Sequence, residues 1–426
     1  MDQLQDVPKL GTVTAEPAQS AGSRRWQRTF AALKYTNYRL WFRGQLVSLF
    51  GTWMQTTAQG FLIFELTHSP EYLGYVGFAA GIPTWLFTLY GGVVADRVPR
   101  RTLLTVTQTS MMVLAFILAG LVFTHLVQPW HILVLAFLLG VANSFDAPAR
   151  QAFVSELVER DDLTNAIALN ATMFHMATAL GPAMAGFTYA LFGPAWCFTL
   201  NGLSFIAVIA ALRMMNLKPA TRPPQTTSAL AELIEGVRYV VTHPIVRVLI
   251  SMVAVNSMFA LSFATLIPAW AVTVLGGNAT TNGLLFSARG VGSLIGALMI
   301  ASLGRIKFRG KLMMLGAFVA PVFFFAFAFL RWLPLSLLAL AASGVGMILV
   351  MNLANAMVQT STPDHLRGRV MGAYTWIFFG FMPLGALWTG VVAEHIGEPE
   401  AVVINALCAL VFAVFVWILF PRLRRH

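Results

Sequence analysis

The chain of 426 residues is 58% hydrophobic and only 11% charged, a balance that leaves a soluble fold too little polar surface to hydrate it and makes lipid the solvent. A net charge of +11 would point to nucleic acid in a soluble protein; in a membrane protein the question is which loops hold the cations. The two cysteines, Cys197 and Cys408, each sit inside an apolar stretch and suggest neither a disulfide framework nor a metal site.

Residues 1–28, rich in Gln, Thr, Ser, Ala and Pro, show no short apolar core and no small-residue cleavage site, and read as a disordered cytoplasmic tail rather than a signal peptide. A spanning helix takes about 20 mostly apolar residues. Twelve such segments follow, at 41–65, 72–95, 103–125, 131–148, 165–190, 195–214, 247–271, 281–303, 312–330, 334–360, 369–393 and 401–420. One long polar connection, 215–246, divides them six plus six into bundles over 29–214 and 247–421, with a basic cytoplasmic tail at 422–426. Within that connection Ser228 is an N-cap candidate, and Leu230, Leu233, Ile234, Val237 and Val241 recur at helical spacing. This predicts a short amphipathic helix on the inner membrane surface, either a plain tether between halves or a regulatory element.

With the N-terminus inside, the basic loops around Arg97, Arg150, Arg213, Arg309, Arg367 and Arg424 all fall on the inner face, while Arg331 alone lands in an outer loop. Both termini are therefore expected in the cytoplasm. The anionic inner leaflet accounts for the basic loops, so no nucleic acid is implied. The stretch from Gly74 to Leu103 also recurs at an offset of 209, placing Gly74 on Gly283, Gly81 on Gly290, Arg100 on Arg309 and Leu103 on Leu312. Halves repeated in the same orientation suggest a solute site between them and transport by rocking one against the other. No Gly-x-x-x-x-Gly-Lys-Ser/Thr loop occurs, which excludes ATP hydrolysis of the phosphate-loop kind.

The segment Gly92-Val93-Val94-Ala95-Asp96-Arg97-Val98-Pro99-Arg100-Arg101 resembles the signature loop of the major facilitator superfamily, departing from it at Pro99. Gly181-Pro182-Ala183-Met184-Ala185-Gly186 resembles the Gly-Pro motif of the superfamily's antiporters, with Ala185 in place of a glycine. Asp146-Ala147-Pro148-Ala149-Arg150 and Leu366-Arg367-Gly368-Arg369-Val370-Met371-Gly372, with Pro383-Leu384-Gly385, resemble the branch of enterobactin-type siderophore exporters and macrolide efflux pumps. The resemblance implies an all-α membrane protein of twelve transmembrane helices in two parallel-repeat six-helix bundles. It further implies a conformational latch of Gly92, Asp96, Arg97, Arg100, Arg101 and Asp146. In that latch Asp96 meets the N-terminus of the eleventh span near Gly368 to Met371, and Arg97 or Arg100 reaches Asp146; each arginine is otherwise a positive-inside anchor. The second copy has Arg305 at the Asp96 position and makes no such carboxylate latch. Gly181, Pro182 and Pro383 are candidate bending points, or else tolerated packing residues.

Polar residues concentrate in the spans that the resemblance places around a central cavity, including Gln55, Gln59, His175, Asn256, Arg289, Asn352 and Asn355. Arg289 is the one charge near the middle of a span; it is either a counter-charge for an anionic or phenolate-bearing solute, or a structural partner for helix carbonyls or an outer carboxylate. Gln55 and Gln59 share a helix face and either bind solute or bridge helices. His175 either carries protons or is satisfied by neighbouring carbonyls. The expected function is secondary export of a small organic solute, siderophore-like or an amphipathic drug, across the cytoplasmic (inner) membrane by alternating access. The resemblance implies proton exchange, although no Asp or Glu lies near the middle of a span. The alternative is an importer or facilitator of a small organic anion. No cofactor, metal or enzymatic activity is expected, and the chain is expected to work as a monomer among membrane lipids.

Overall fold

The computed structural model describes residues 30–217, 229–303, 308–421 and 423; the N-terminal tail, Ser228, Arg305 and all of the last basic tail except Leu423 fall outside these. After a turn of 3-10 helix at Ala31–Lys34 come α1 Thr36–Thr67, α2 Pro70–Arg97, α3 Arg100–Phe123, α4 Pro129–Leu157, α5 Leu163–Phe192 and α6 Pro194–Met214. The second half comprises α7 Ala229–Thr242, the interrupted α8 Pro244–Val274, α9 Ala279–Ser302, α10 Arg309–Phe329, α11 Leu333–Ser361, α12 Asp364–Ile396 and α13 Glu398–Leu419. Each predicted span coincides with one of these helices to within a few residues, save that α4 runs on through Pro148 to Leu157.

Among the described residues ten helices are long and apolar enough to cross a membrane. The α1 and α5 helices fall short because they spend positions on polar groups, Arg39, Arg43, Gln45, Gln55 and Gln59 in one and Asn165, Asn170 and His175 in the other. Several helices begin with proline in the first turn, where its missing N–H costs nothing: Pro70, Pro129, Pro194 and Pro244. Gly193 and Gly397 end α5 and α12 at φ of 88° and 98°, a conformation that favours glycine, and so turn the chain sharply into α6 and α13.

The two halves meet along two helix pairs, α2 with α12 and α5 with α9. Glycines allow the approach. A Cβ on Gly74 would stand 3.1 Å from Gly390 Cα, one on Gly81 2.6 Å from Pro383 Cβ, and one on Gly283 3.0 Å from Gly186 Cα. All these contacts lie toward the end of the bundle that carries Glu394, where one apolar core joins Ala269 and Ala279 to Phe61, Ile63 and Phe198 of the first half. At the end that carries Asp96 the buried cores are separate: one holds Trp41, Phe153 and Leu212 of the first half, the other Leu249, Met313 and Val370 of the second, against which only Leu89 of α2 packs from the first half among the described residues. Gly92, Gly368 and Gly372 have nothing within 4 Å of a Cβ there. The seam is closed at the Glu394 end and open at the Asp96 end.

The amphipathic helix forms as α7, with Leu233 and Val240 buried in the second half's core. A Cβ on its Gly236 would lie 2.7 Å from the carbonyl carbon of Arg369, and Glu235 pairs with the Arg369 guanidinium. It docks on the start of α12 through these contacts.

Candidate functional site

The loop from Gly92 to Arg101 ends α2 and starts α3, but its charges find other partners than those expected. Asp96 does not reach α12; its carboxylate is 3.6 Å from Arg100 Nη2, one turn on. Arg100 Nη1 donates to the Ala152 carbonyl and to Glu156, each at 2.9 Å, and not to Asp146. Asp146 is 1% exposed and accepts from Thr107 Oγ1 at 2.8 Å and Gln108 Nε2 at 2.9 Å, with Arg150 Nε at 3.6 Å. Arg101 donates to the carbonyls of Arg213 and Met215 at the end of α6, and Arg97 is exposed. The physical reason for the missing cross-half contact is the opening of the seam at this end, where α7 occupies Arg369 instead. Nearby, Lys34 pairs with Asp162 at 2.7 Å and the Tyr35 hydroxyl donates to the same carboxylate. These contacts, the Lys34 bond first, hold Asp162 below the usual carboxylate range.

Midway along the bundle, Pro182 cannot donate to the Thr178 carbonyl, and that freed group faces Gly290 of α9. Gly181 lies against Trp53 of α1, with a would-be Cβ 2.7 Å from Trp53 Cβ, so the Gly181-Pro182 pair sits where α5 touches both α1 and α9. Ser287 Oγ accepts from the Ala183 N–H at 2.8 Å across the same seam. Arg289 adjoins this last contact, and α11 packs behind it, with a Cβ on Gly344 3.2 Å from the Arg289 carbonyl carbon. The guanidinium stands 5.9 Å over the Phe286 ring and, among the described residues, has no acidic partner within ion-pair distance. His175 lies one turn from Thr178 toward the open end, and its carbonyl accepts from the Thr178 hydroxyl at 2.8 Å.

Other candidates divide. Gln55 is buried and accepts from Asn201 Nδ2 at 2.6 Å, which binds α1 to α6 and favours the bridging reading. Gln59, one turn on, is buried with no hydrogen bond to another described residue. Asn256 is 7% exposed with an unpartnered Nδ2, at the start of a π-helical stretch, Asn256–Leu261. A second such stretch covers Trp270–Val274. Such bulges occur often at functional sites. Asn352 is exposed on α11, and Asn355 accepts from Gln359 Nε2 at 2.7 Å. Pro383 lies in α12 against Gly81. Sequence reasoning missed Thr107, Gln108, Glu156 and Asn201 as partners. For Thr107, Gln108 and Asn201 the available signal was that a polar side chain within a span must find a partner; Glu156 lies beyond the predicted end of its span.

Two helical halves closed at one end and parted at the other, with a half-buried cation and buried amides among their helices, define a secondary transporter of the major facilitator class, not an enzyme. Within it, the chain belongs to the transmembrane secretion effector family, whose model matches residues 27–425. It is similar to the multidrug efflux pump Tap of Mycolicibacterium fortuitum, 27% identical over 386 residues and covering 88% of this chain and 93% of the relative. It is similar also to the enterobactin exporter EntS of Shigella flexneri, 25% identical over 407 residues, covering 94% and 96%. A solved D-xylose–proton symporter shares the fold, with a TM-score of 0.70 at 12% identity over 92% of this chain and 99% of that one.

Proposed function

We propose that this exporter carries an anionic or phenolate-bearing organic solute out of the cytoplasm, held at Arg289. The supporting observation is a half-buried guanidinium in the middle of α9, next to the Gly290 contact across the seam, with no acidic partner among the described residues. An unpaired charge in the bilayer is costly, and a solute anion relieves it. Relatives named for multidrug efflux and for enterobactin export fit such a cargo class. In this reading twelve helices cross the membrane, α1 and α5 among them, in two six-helix bundles over 29–214 and 247–421. The Asp96 end and both termini face the cytoplasm, as the basic residues at that end favour. His175, Asn256, Gln59, Asn352 and Asn355 line the path, and Asp96 meets the start of α12 when the inner end closes. Exchange with protons belongs to the proposal too, carried by a group outside the middle of the spans.

Arg289→Gln tests the site. A hydrogen bond to a charged group contributes about 1.5–3 kcal/mol, so affinity for acidic solutes falls roughly tenfold to a hundredfold, while neutral and cationic solutes of similar size are spared. Arg289→Lys rescues part, keeping the charge and losing the planar fork. Binding is measured across a charge series with protein amount normalised; a uniform loss assigns Arg289 to structure and removes the anionic cargo.

A further inference from the structure

At the closed end of the seam, the start of α2 has no cap of its own. Its N-cap residue, Ser69, makes no side-chain bond to the helix, whereas Asn278, in the corresponding place before α9, accepts from Thr280 and Thr281 N–H groups. A helix start with unsatisfied N–H groups and a partial positive charge attracts a carboxylate. The one that arrives comes from the other half. Glu394, in the last turn of α12, accepts through Oε2 from Ser69 Oγ at 2.7 Å and from the Glu71 N–H at 3.3 Å.

We infer that Glu394 is a positioning residue of the transport cycle: it caps α2 across the seam and so stabilises the state in which the Glu394 end is closed. The cap has to break when α2 and α12 part at that end. Glu71's own carboxylate is turned to the Tyr75 hydroxyl, which leaves its N–H to Glu394. Glu398, four residues on, accepts from Thr273 Oγ1 at 3.1 Å, within the second half, so it carries similar charge at the same face without crossing the seam. The inference rests on the alternating-access reading, and its test separates the two.

The probe is Thr265→Cys, which faces Gly77 across the seam, in a background where Cys197 and Cys408 are alanine. An impermeant thiol reagent is applied from each membrane face to the full-length protein in vesicles. Glu394 is exposed, so the cap is partly screened. Glu394→Ala should raise labelling from the Glu394 face about two- to tenfold, Glu394→Gln less, and Glu398→Ala not at all. Ser69→Ala should act in the same direction, and the double variant Ser69→Ala with Glu394→Ala should fall short of additivity, because both remove one contact. Unchanged labelling in Glu394→Ala, or an equal change in Glu398→Ala, overturns the inference. If Gly290→Ala, which crowds the seam elsewhere, still shifts labelling, alternating access stands and only the cap is lost.

Discussion

Replacing Gly290 by alanine puts a methyl group where α5 and α9 touch. Its Cβ would stand 2.7 Å from the carbonyl carbon of Thr178 and 2.8 Å from Ala179 Cα, both backbone atoms of a helix that no rotamer change can move. Carbon atoms pack favourably at about 3.5–4.0 Å, so the two helices must withdraw by about 1 Å. Crowding of this kind costs about 1–3 kcal/mol. The contact crosses the seam, so the cost falls on the state closed at the Glu394 end and is relieved when that end opens. A bias of that size shifts the two-state balance about 5–150-fold, read as labelling of Thr265→Cys from the Glu394 face. Gly292→Ala is the control. Its Cβ would lie 2.6 Å from the carbonyl carbon of Ala341, inside the second half, so it should lower the yield of folded protein and leave the ratio of labelling from the two faces alone. Normal labelling and flux in Gly290→Ala would refute the assignment of the α5–α9 contact to one conformational state.

Asp146→Asn weakens three polar contacts inside the first half and should lower stability by about 1–3 kcal/mol in thermal unfolding of the detergent-solubilised protein; its effect should add to that of Arg100→Gln because the two residues do not touch, and strong coupling between them would restore the expected latch pair. Gln55→Leu leaves the Asn201 amide unpaired and should destabilise by about 1–3 kcal/mol without changing solute affinity, whereas Gln59→Leu should change affinity; equal effects of both on binding would put Gln55 back among solute ligands.

The helices were legible because lipid imposes one rule, a run of apolar residues long enough to cross, and α10, α11 and α13 obey it openly. The α1 and α5 helices were read as spans although their polar residues dilute the signal, and Gln55 shows one reason for such residues, a bond to a neighbouring helix. Partners within the signature loop were not legible. They depend on which end of the seam is open: Asp96 faces Arg100 here, and the proposed contact with the start of α12 belongs to the arrangement in which the halves close over it. The π-helical breaks of α8 also escaped, since Pro268 marks a break but not its register. Arg289 was visible as a lone mid-span charge; that its neighbour Gly290 forms a contact across the seam needed coordinates.

The α2 and α12 helices carry a carboxylate near each C-terminus, Asp96 on one and Glu394 on the other, and each lies at the end where its partner helix begins. Between them the helices touch at Gly81 and Pro383 and at Trp85 and Trp376, whose ring centroids are 5.4 Å apart. In the proposed cycle, helices pivoting about that contact bring one carboxylate onto a helix start as they withdraw the other. With Glu394 engaged and Asp96 turned to Arg100, the structure holds one side of such a balance. In that proposed cycle the two contacts exclude each other, so neither has to be strong: a difference of about 1.4 kcal/mol already sets a tenfold preference, small enough for a solute bound at the proposed Arg289 site to reverse. A latch worth much more would trap the carrier in one state, which gives a physical reason for placing Glu394 where solvent screens it.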